Sequence, residues 1–397
     1  MGFALSVQIA ALSWILNSKF GFNLEEIGLV WIAGPAAGII GQVTIGFISD
    51  KVWFWGGRRR PFILIGGVVA ALMLLALPNI GIISEALGFE EVIGVAIAVA
   101  LSLDLAINIS FNPTRSLIAD VTPDGDIRTK GYTWMQTISG FFGVIAYLIG
   151  AFISNYVLIY FGAVLVFVFS LLPTLFITET KELESSDDSI ASTSRQTDLP
   201  KFIKICIAHA FTWLGVQTMF IYTFAYIKEN IMGFGTIDVI SEAENNHIGF
   251  ITGVAFAILN TVGFIFPALV LEPLAKKIGR VKTHTLSIAI MSIGYIMIIF
   301  FAQSQELFFV MMALVGIGWA AVVSLPFAIM SECVSQNKMG LYMGLFNLSV
   351  VIPQLFASGL GGAIDNASNK NIIFVISAIA LGLSAILWLL VKEKSSE

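Results

Sequence analysis

Apolar runs of seventeen to twenty-five residues, broken by short polar or glycine- and proline-rich segments, recur along the whole chain. They fall at 1–17, 25–48, 61–80, 91–114, 131–154 and 157–178, then at 203–226, 248–271, 283–301, 306–330, 340–363 and 371–391. A hydrocarbon core of about 30 Å takes about 20 residues of helix at 1.5 Å each. Each run therefore predicts one membrane-spanning helix, twelve in all. The first reaches only about 25 Å, a length that fits a chain begun late or lacking its natural leader. No basic segment precedes it and no small-residue cleavage site follows, so it is read as a span rather than a signal peptide.

Between the sixth and seventh runs lies a polar stretch that opens Glu179-Thr180-Lys181-Glu182 and continues rich in Ser and Thr. It holds too little apolar surface to order itself. The expected organisation is an N-terminal six-helix bundle over 1–178, a linker over 179–202, and a C-terminal six-helix bundle with a short tail over 203–397. This is an all-α membrane protein.

Composition excludes the alternative of a soluble domain. Hydrophobic residues make up 57% of the chain and charged residues 12%, against about a quarter charged in soluble proteins; mean hydropathy is +0.90. The net charge of −5 says less than where the charges lie. With both termini inside, the cytoplasmic segments hold 18 of the 21 Lys and Arg, and only Lys19, Lys228 and Lys370 stay outside. Such a bias predicts cytoplasmic termini, because basic loops are retained on that side. Arg58, Arg59 and Arg60 anchor this orientation. Each would cost roughly 2.5–3.5 kcal/mol at the centre of a spanning helix.

The two cysteines, Cys206 and Cys333, imply no disulfide framework, and His209, His247 and His284 show no metal-ligand spacing. No Walker loop, nucleophile elbow or metal motif occurs. Neither an enzyme nor an ATP-driven pump is predicted, and no cofactor or nucleic acid is expected. Transport work would draw on an ion gradient.

Asp104 is the outstanding polar position. It lies about 13 residues into the fourth run, roughly 18 Å from the outer end. An ionisable group at that depth is costly as an ion and is by default a functional candidate. Asn108, Asn112 and Arg115 follow at helical spacing on the same stripe. One carboxyl, two amides and a guanidinium suit a wet cavity that offers hydrogen bonds to sugar hydroxyls. The other reading is a polar patch tying this helix to its neighbours. Permanent pairing of Asp104 with Arg115 is disfavoured by their separation, about 16 Å along one helix. Other polar groups in the spans, among them Gln8, His209, Gln217, Asn260, Asn347 and Gln354, read first as interhelical packing contacts. Trp213 and Trp319 read as core or interface residues, with stacking on a pyranose as the functional alternative.

Both halves carry Gly-Arg and a basic cluster at the corresponding turn: Gly57-Arg58 after the second run, and Lys276-Lys277 with Gly279-Arg280 after the eighth. Parallel six-helix halves with a midplane site between them are the architecture of the major facilitators. Three segments together resemble one branch of them, the proton-coupled sucrose and maltose transporters of the glycoside–pentoside–hexuronide type. These are Ser49-Asp50 with Gly57-Arg58-Arg59-Arg60-Pro61-Phe62; Leu103-Asp104 through Asn108, Asn112-Pro113, Arg115 and Asp120; and Met343-Gly344 with Asn347 and Pro353-Gln354. The departures are the expected lack of a leader and Asn112, where the family pattern has a small residue or Gly.

The resemblance implies a secondary transporter of the cell membrane, expected as a monomer, that carries a sugar with a proton by alternating access. Sodium is the alternative ion, since a carboxylate with amide oxygens serves either. Asp104 is implied as the proton-coupling group, and Asn108, Asn112, Arg115, Gln8 and Asn347 as substrate contacts. Asp50 with Arg58, Arg59 and Arg60 resembles a cytoplasmic charge latch, to which Asp120 adds an acid. Two rival functions are a proton-driven exporter of other organic solutes and a non-transporting sugar sensor.

Overall fold

The computed structural model describes residues 2–38, 48, 52–57, 59–121, 126–179, 197–235, 238, 240–331, 333–334 and 339–392. Among these residues the chain is helical apart from turns and one isolated bridge, Phe54 to Gly57. The first half contains α1 (Gly2–Phe20), α2 (Leu24–Trp31), α3 (Arg60–Ala76), α4 (Ile80–Ala86), α5 (Val92–Val121), α6 (Asp126–Phe152) and α7 (Asn155–Phe176). The second contains α8 (Leu199–Tyr226), α9 (Glu242–Phe266), α10 (Glu272–Ile278), α11 (Arg280–Phe301), α12 (Gln305–Ser331), α13 (Met339–Ser358), α14 (Gly361–Asp365) and α15 (Ile372–Trp388).

Among the described residues, seven helical stretches are long and apolar enough to cross a membrane, and three shorter apolar helices accompany them. Several helices outrun the apolar windows that predict them. The fifth, α5, continues to Val121 and carries Pro113 within it; α8 starts at Leu199. Backbone hydrogen bonds of a helix do not depend on side-chain polarity, so hydropathy underestimates helix length. The eleventh run is shorter than expected, because α13 stops at Ser358 and α14 restarts at Gly361.

Helix starts follow local capping chemistry. Asn23 and Glu26 exchange side-chain-to-backbone hydrogen bonds of 2.9 Å at the head of α2. Ser241 and Glu244 form the same reciprocal box at α9, while Ser154 and Asp198 cap α7 and α8. Each satisfies N–H groups that the first turn leaves without an intrahelical partner.

The chain forms two compact units, one of Met1–Phe22 with Leu29–Ile190, the other of Asn23–Gly28 with Ala191–Glu397. In the first, α3 packs on α5 and α7, and α1 packs on α6 and α7. In the second, α11 packs on α12 and α15, and α8 packs on α13 and α15. The pairing scheme of one half thus recurs in the other, as expected for parallel internal repeats.

Close approach in both units depends on small residues. A Cβ on Gly66 of α3 would lie 2.6 Å from the Ala106 carbonyl of α5. One on Gly318 of α12 would lie 2.8 Å from the Ser287 carbonyl of α11. Hydroxyls then lock the second unit. Ser377 Oγ donates to the Gly215 carbonyl at 2.9 Å, Ser384 Oγ to that of Ala208 at 2.7 Å, and Ser292 Oγ to that of Ala378 at 2.8 Å. Each interhelical hydrogen bond of this kind contributes about 0.6 kcal/mol in a membrane protein.

Candidate functional site

In the first unit, α5 presents Asp104 to α1. Its side chain is 9% exposed, and Gln8, 1% exposed, faces it. Gln8 Nε2 donates to Asp104 Oδ2 at 2.8 Å. Four residues on, Asn108 Nδ2 donates to the Asp104 main-chain carbonyl at 2.9 Å. A third element closes over the carboxylate: a Cβ built on Gly34 would lie 3.0 Å from Asp104 Oδ2. Trp31, just before it, donates its indole N–H to Ser13 Oγ of α1 at 2.8 Å. Gln8 and Asn108 thus both bond Asp104, Gln8 at its carboxylate and Asn108 at its main-chain carbonyl. Gly34 is a contributor that polarity alone had no means of flagging, because its part is to leave room.

The amide of Gln8 has a second consequence. Its carbonyl Oε1 is buried and has no hydrogen-bond partner. An amide turned end for end presents that oxygen to Asp104 instead of its NH₂, and which end faces the carboxyl is a matter of hydrogen-bond logic. An amide is able to donate to a carboxylate through its NH₂ and to accept from a carboxylic acid through its oxygen.

Asn112, Arg115 and Asp120 lie on the same helix, α5, but their side chains fall outside the described residues. Asn347 is half-buried on α13 in the second unit. Asp50 and Arg58 also fall outside the described residues, so the expected charge latch is represented only by Arg59 and Arg60.

These two arginines have an unforeseen partner. The Arg59 N–H lies 2.9 and 3.1 Å from the two carboxylate oxygens of Glu179, and the Arg60 N–H lies 2.8 Å from one of them. Glu179 reads from the sequence as the first residue of a linker. It instead carries a negative charge to the N-terminus of α3, where unpaired N–H groups and the helix dipole favour an anion. Arg59, the residue preceding α3, supplies no side-chain cap of its own. The Arg60 guanidinium also reaches the Thr174 carbonyl of α7. The signal available in the sequence was an acid directly after the sixth run.

The turn ahead of this cluster is tight. Phe54 and Gly57 exchange backbone hydrogen bonds of 3.1 and 3.2 Å, and the two residues between them, Trp55 and Gly56, have φ of 48° and 72°. Left-handed geometry at both central positions is that of a two-residue hairpin, in which Gly is at ease and Trp is strained.

In the second unit several intramembrane polar groups pair with one another. Trp213 Nε1 donates to His209 Nε2 at 2.9 Å, and His209 stacks on Phe346 at 4.8 Å between centroids. Trp319 Nε1 donates to Asn260 Oδ1 at 3.2 Å, and Gln354 Nε2 to Gln217 Oε1 at 3.1 Å. The packing reading fits these groups. Trp213 and Trp319 meet edge to face at 6.1 Å. Among the described residues, no group of three or more acidic, His or Cys side chains forms a metal site.

Comparison with known proteins bears on the fold and the family. The family model described as Major Facilitator Superfamily matches residues 1–348 and 244–397. The chain is 26% identical over 453 residues to sucrose transport protein SUT2 of Oryza sativa subsp. indica, covering 98% of this chain and 90% of that protein. It is 23% identical to sucrose transport protein SUC4 of Arabidopsis thaliana, over 91% of this chain and 81% of that one. A shorter match, 33% identical over 138 residues, joins 33% of this chain to 25% of the general alpha-glucoside permease of Schizosaccharomyces pombe. Among solved structures, the nucleoside transporter NupG superposes with a TM-score of 0.68 at 13% identity, covering 99% of this chain and 97% of that one. A bacterial homologue of the iron transporter ferroportin in its inward-facing state gives the same TM-score at 14% identity, covering 99% and 97%. With the family model matching both halves of a helical, apolar chain, this protein belongs to the Major Facilitator Superfamily, and it is a multi-pass membrane transporter rather than an enzyme.

Proposed function

We propose that the chain is a secondary active transporter that moves a sugar, a disaccharide such as sucrose or maltose or a related glycoside, together with a proton by alternating access. The single observation that carries this reading is the buried Asp104 carboxyl held by the Gln8 amide. A lone carboxyl in a spanning helix is retained at a cost, and proton relays are a principal use of such groups. Its likeness over nearly the full chain to sucrose transport proteins supports the sugar. The proposed topology is twelve spans with both termini in the cytoplasm, which the distribution of Lys and Arg supports.

Mechanistically, the Asp104 carboxyl takes a proton on the side of lower pH, and Gln8 turns its carbonyl to accept from the acid. Asn108, adjacent on α5, offers an amide to sugar hydroxyls. Neutralising the carboxyl removes the charge penalty of moving the site through its closed state. Release to a more alkaline cytoplasm restores the anion and the Gln8 N–H hydrogen bond. One proton crossing 100 mV supplies about 2.3 kcal/mol, and one pH unit adds about 1.4 kcal/mol. Together they sustain a sugar gradient of several hundredfold, on the order of tenfold for each 1.4 kcal/mol.

The deciding experiment is uptake of labelled sucrose, maltose and monosaccharides into proteoliposomes under an imposed inward proton gradient. Accumulation of a disaccharide that collapses with a protonophore is the expected result. Movement of other organic solutes with no sugar uptake would overturn the substrate, and accumulation indifferent to the protonophore but dependent on sodium would overturn the ion.

A further inference from the structure

A second site lies in the C-terminal unit, remote in sequence from Asp104. Where α10 ends and α11 begins, Gly279 adopts φ 92°, a conformation that suits glycine because it has no Cβ. The bend brings Lys276 and Lys277 at the end of α10 to the same cleft as Arg280 and Lys282 at the start of α11, and Lys392 joins them from beyond α15. Glu272 is the one acid lining it among the described residues. Five positive charges therefore face one negative one, and that acid is already engaged by Lys276 at 2.7 Å.

The cleft has a volume of about 1180 Å³, far more than a free phosphate ion fills. Much of its remaining wall is apolar, supplied by Leu271, Ile278, Val281, Leu325 and Leu389, with Thr285 and Ser324 as polar members. A basic rim over an apolar wall, at the end of membrane helices, matches a molecule with an anionic head and a hydrocarbon body. Basic pockets of this kind between membrane helices hold acidic lipid headgroups.

We propose that this cleft binds a phosphate-bearing anion, the headgroup of an acidic phospholipid, with its glycerol and upper acyl carbons against the apolar wall. The site is independent of which solute the protein carries. Lys277, Lys282 and Lys392 are exposed, so their long side chains close on the ligand without disturbing the core.

The test uses the full chain in phosphatidylcholine nanodiscs, with binding read by native mass spectrometry and by the thermal unfolding midpoint. The probes are dioctanoyl phosphatidylglycerol, dioctanoyl phosphatidylcholine and inorganic phosphate. Phosphatidylglycerol is expected to bind and raise the midpoint, with phosphatidylcholine inert. Lys277→Gln/Lys282→Gln/Lys392→Gln is expected to weaken binding tenfold or more, while Lys201→Gln/Lys204→Gln on α8 leaves it unchanged. Should the triple variant not fold, Glu272→Gln gives the opposite readout, tighter binding with the basic residues intact. Equal binding of phosphatidylcholine, or binding unchanged in the triple variant and in Glu272→Gln, overturns the site. A response to inorganic phosphate as large as that to phosphatidylglycerol overturns the lipid as its source.

Discussion

Gln8 of α1 and Asp104 of α5 are 96 positions apart in sequence and 2.8 Å apart in space, an amide N–H meeting a buried carboxylate. The first helix therefore reads directly the state of the group on which proton coupling would depend. Asp104→Asn keeps the shape and removes the titratable proton. Its expected phenotype is a protein that exchanges or equilibrates sugar but holds an accumulation ratio near unity. Proteoliposome uptake with and without a protonophore measures it, and undiminished accumulation would move the coupling group elsewhere.

Gln8→Leu tests the partner. A hydrogen bond to a charged group contributes about 1.5–3 kcal/mol, so the anionic state loses that support. Proton-driven uptake is expected to fall at least tenfold, with exchange of sugar between preloaded vesicles less affected. A variant that slows both modes equally would mark Gln8 as packing alone.

Gly34 makes a steric prediction. With its Cβ position 3.0 Å from Asp104 Oδ2, Gly34→Ala crowds the carboxylate and Gly34→Val displaces it or its helix. Uptake should fall in that order while both variants still reach the membrane, as surface labelling and size-exclusion profiles can verify.

Glu179 gives a prediction about stability. Removing the anion from the head of α3 costs about 1 kcal/mol by analogy with other helix caps. Glu179→Ala should lower the unfolding midpoint by a few degrees, Glu179→Gln by less, and Glu179→Lys by more. An unchanged midpoint across the three would show that other groups satisfy the Arg59 and Arg60 N–H groups.

The pair in the basic cleft sets a pH dependence. Glu272 lies below the usual carboxylate range, because Lys276 donates a hydrogen bond to it and adds a positive charge beside it. A carboxyl depressed in the folded state stabilises the fold above its unfolded value, and that contribution is lost as pH falls through the folded value. Glu272→Gln should thus differ slightly from the parent at pH 7 and coincide with it at strongly acid pH. Thermal unfolding at the two pH values measures the difference, and a gap that widens in acid would contradict the assignment.

Much of this molecule was legible in its residues, for reasons that separate the successes from the misses. Asp104 stands out in the sequence because a carboxyl in a long apolar run has no solvent-facing excuse. Gln8 was legible as a polar residue in a span, but its pairing with Asp104 depends on how α1 crosses α5, which no local pattern records. Gly34 was unreadable as a site residue since its contribution is an absent side chain. The composition of its neighbours places Glu179 in the linker, whereas its own carboxylate is held by backbone N–H groups 119 and 120 residues earlier. Helix ends were misjudged wherever polar residues continued a helix past the hydrocarbon, as at the C-terminal end of α5.

The recurring pairing scheme also dictates an order of assembly. In each half a helix in the middle of the sequence rests on the last one, α3 on α7 and α11 on α15. A nascent chain emerging one helix at a time cannot complete either packing until Phe176, and later Trp388, has been made. Through that interval Ser377 and Ser384 have yet to reach the carbonyls of Gly215 and Ala208. The closing helix of each half is its keystone during synthesis, and truncations that remove α15 should be cleared by membrane quality control although every proposed transport residue is still present.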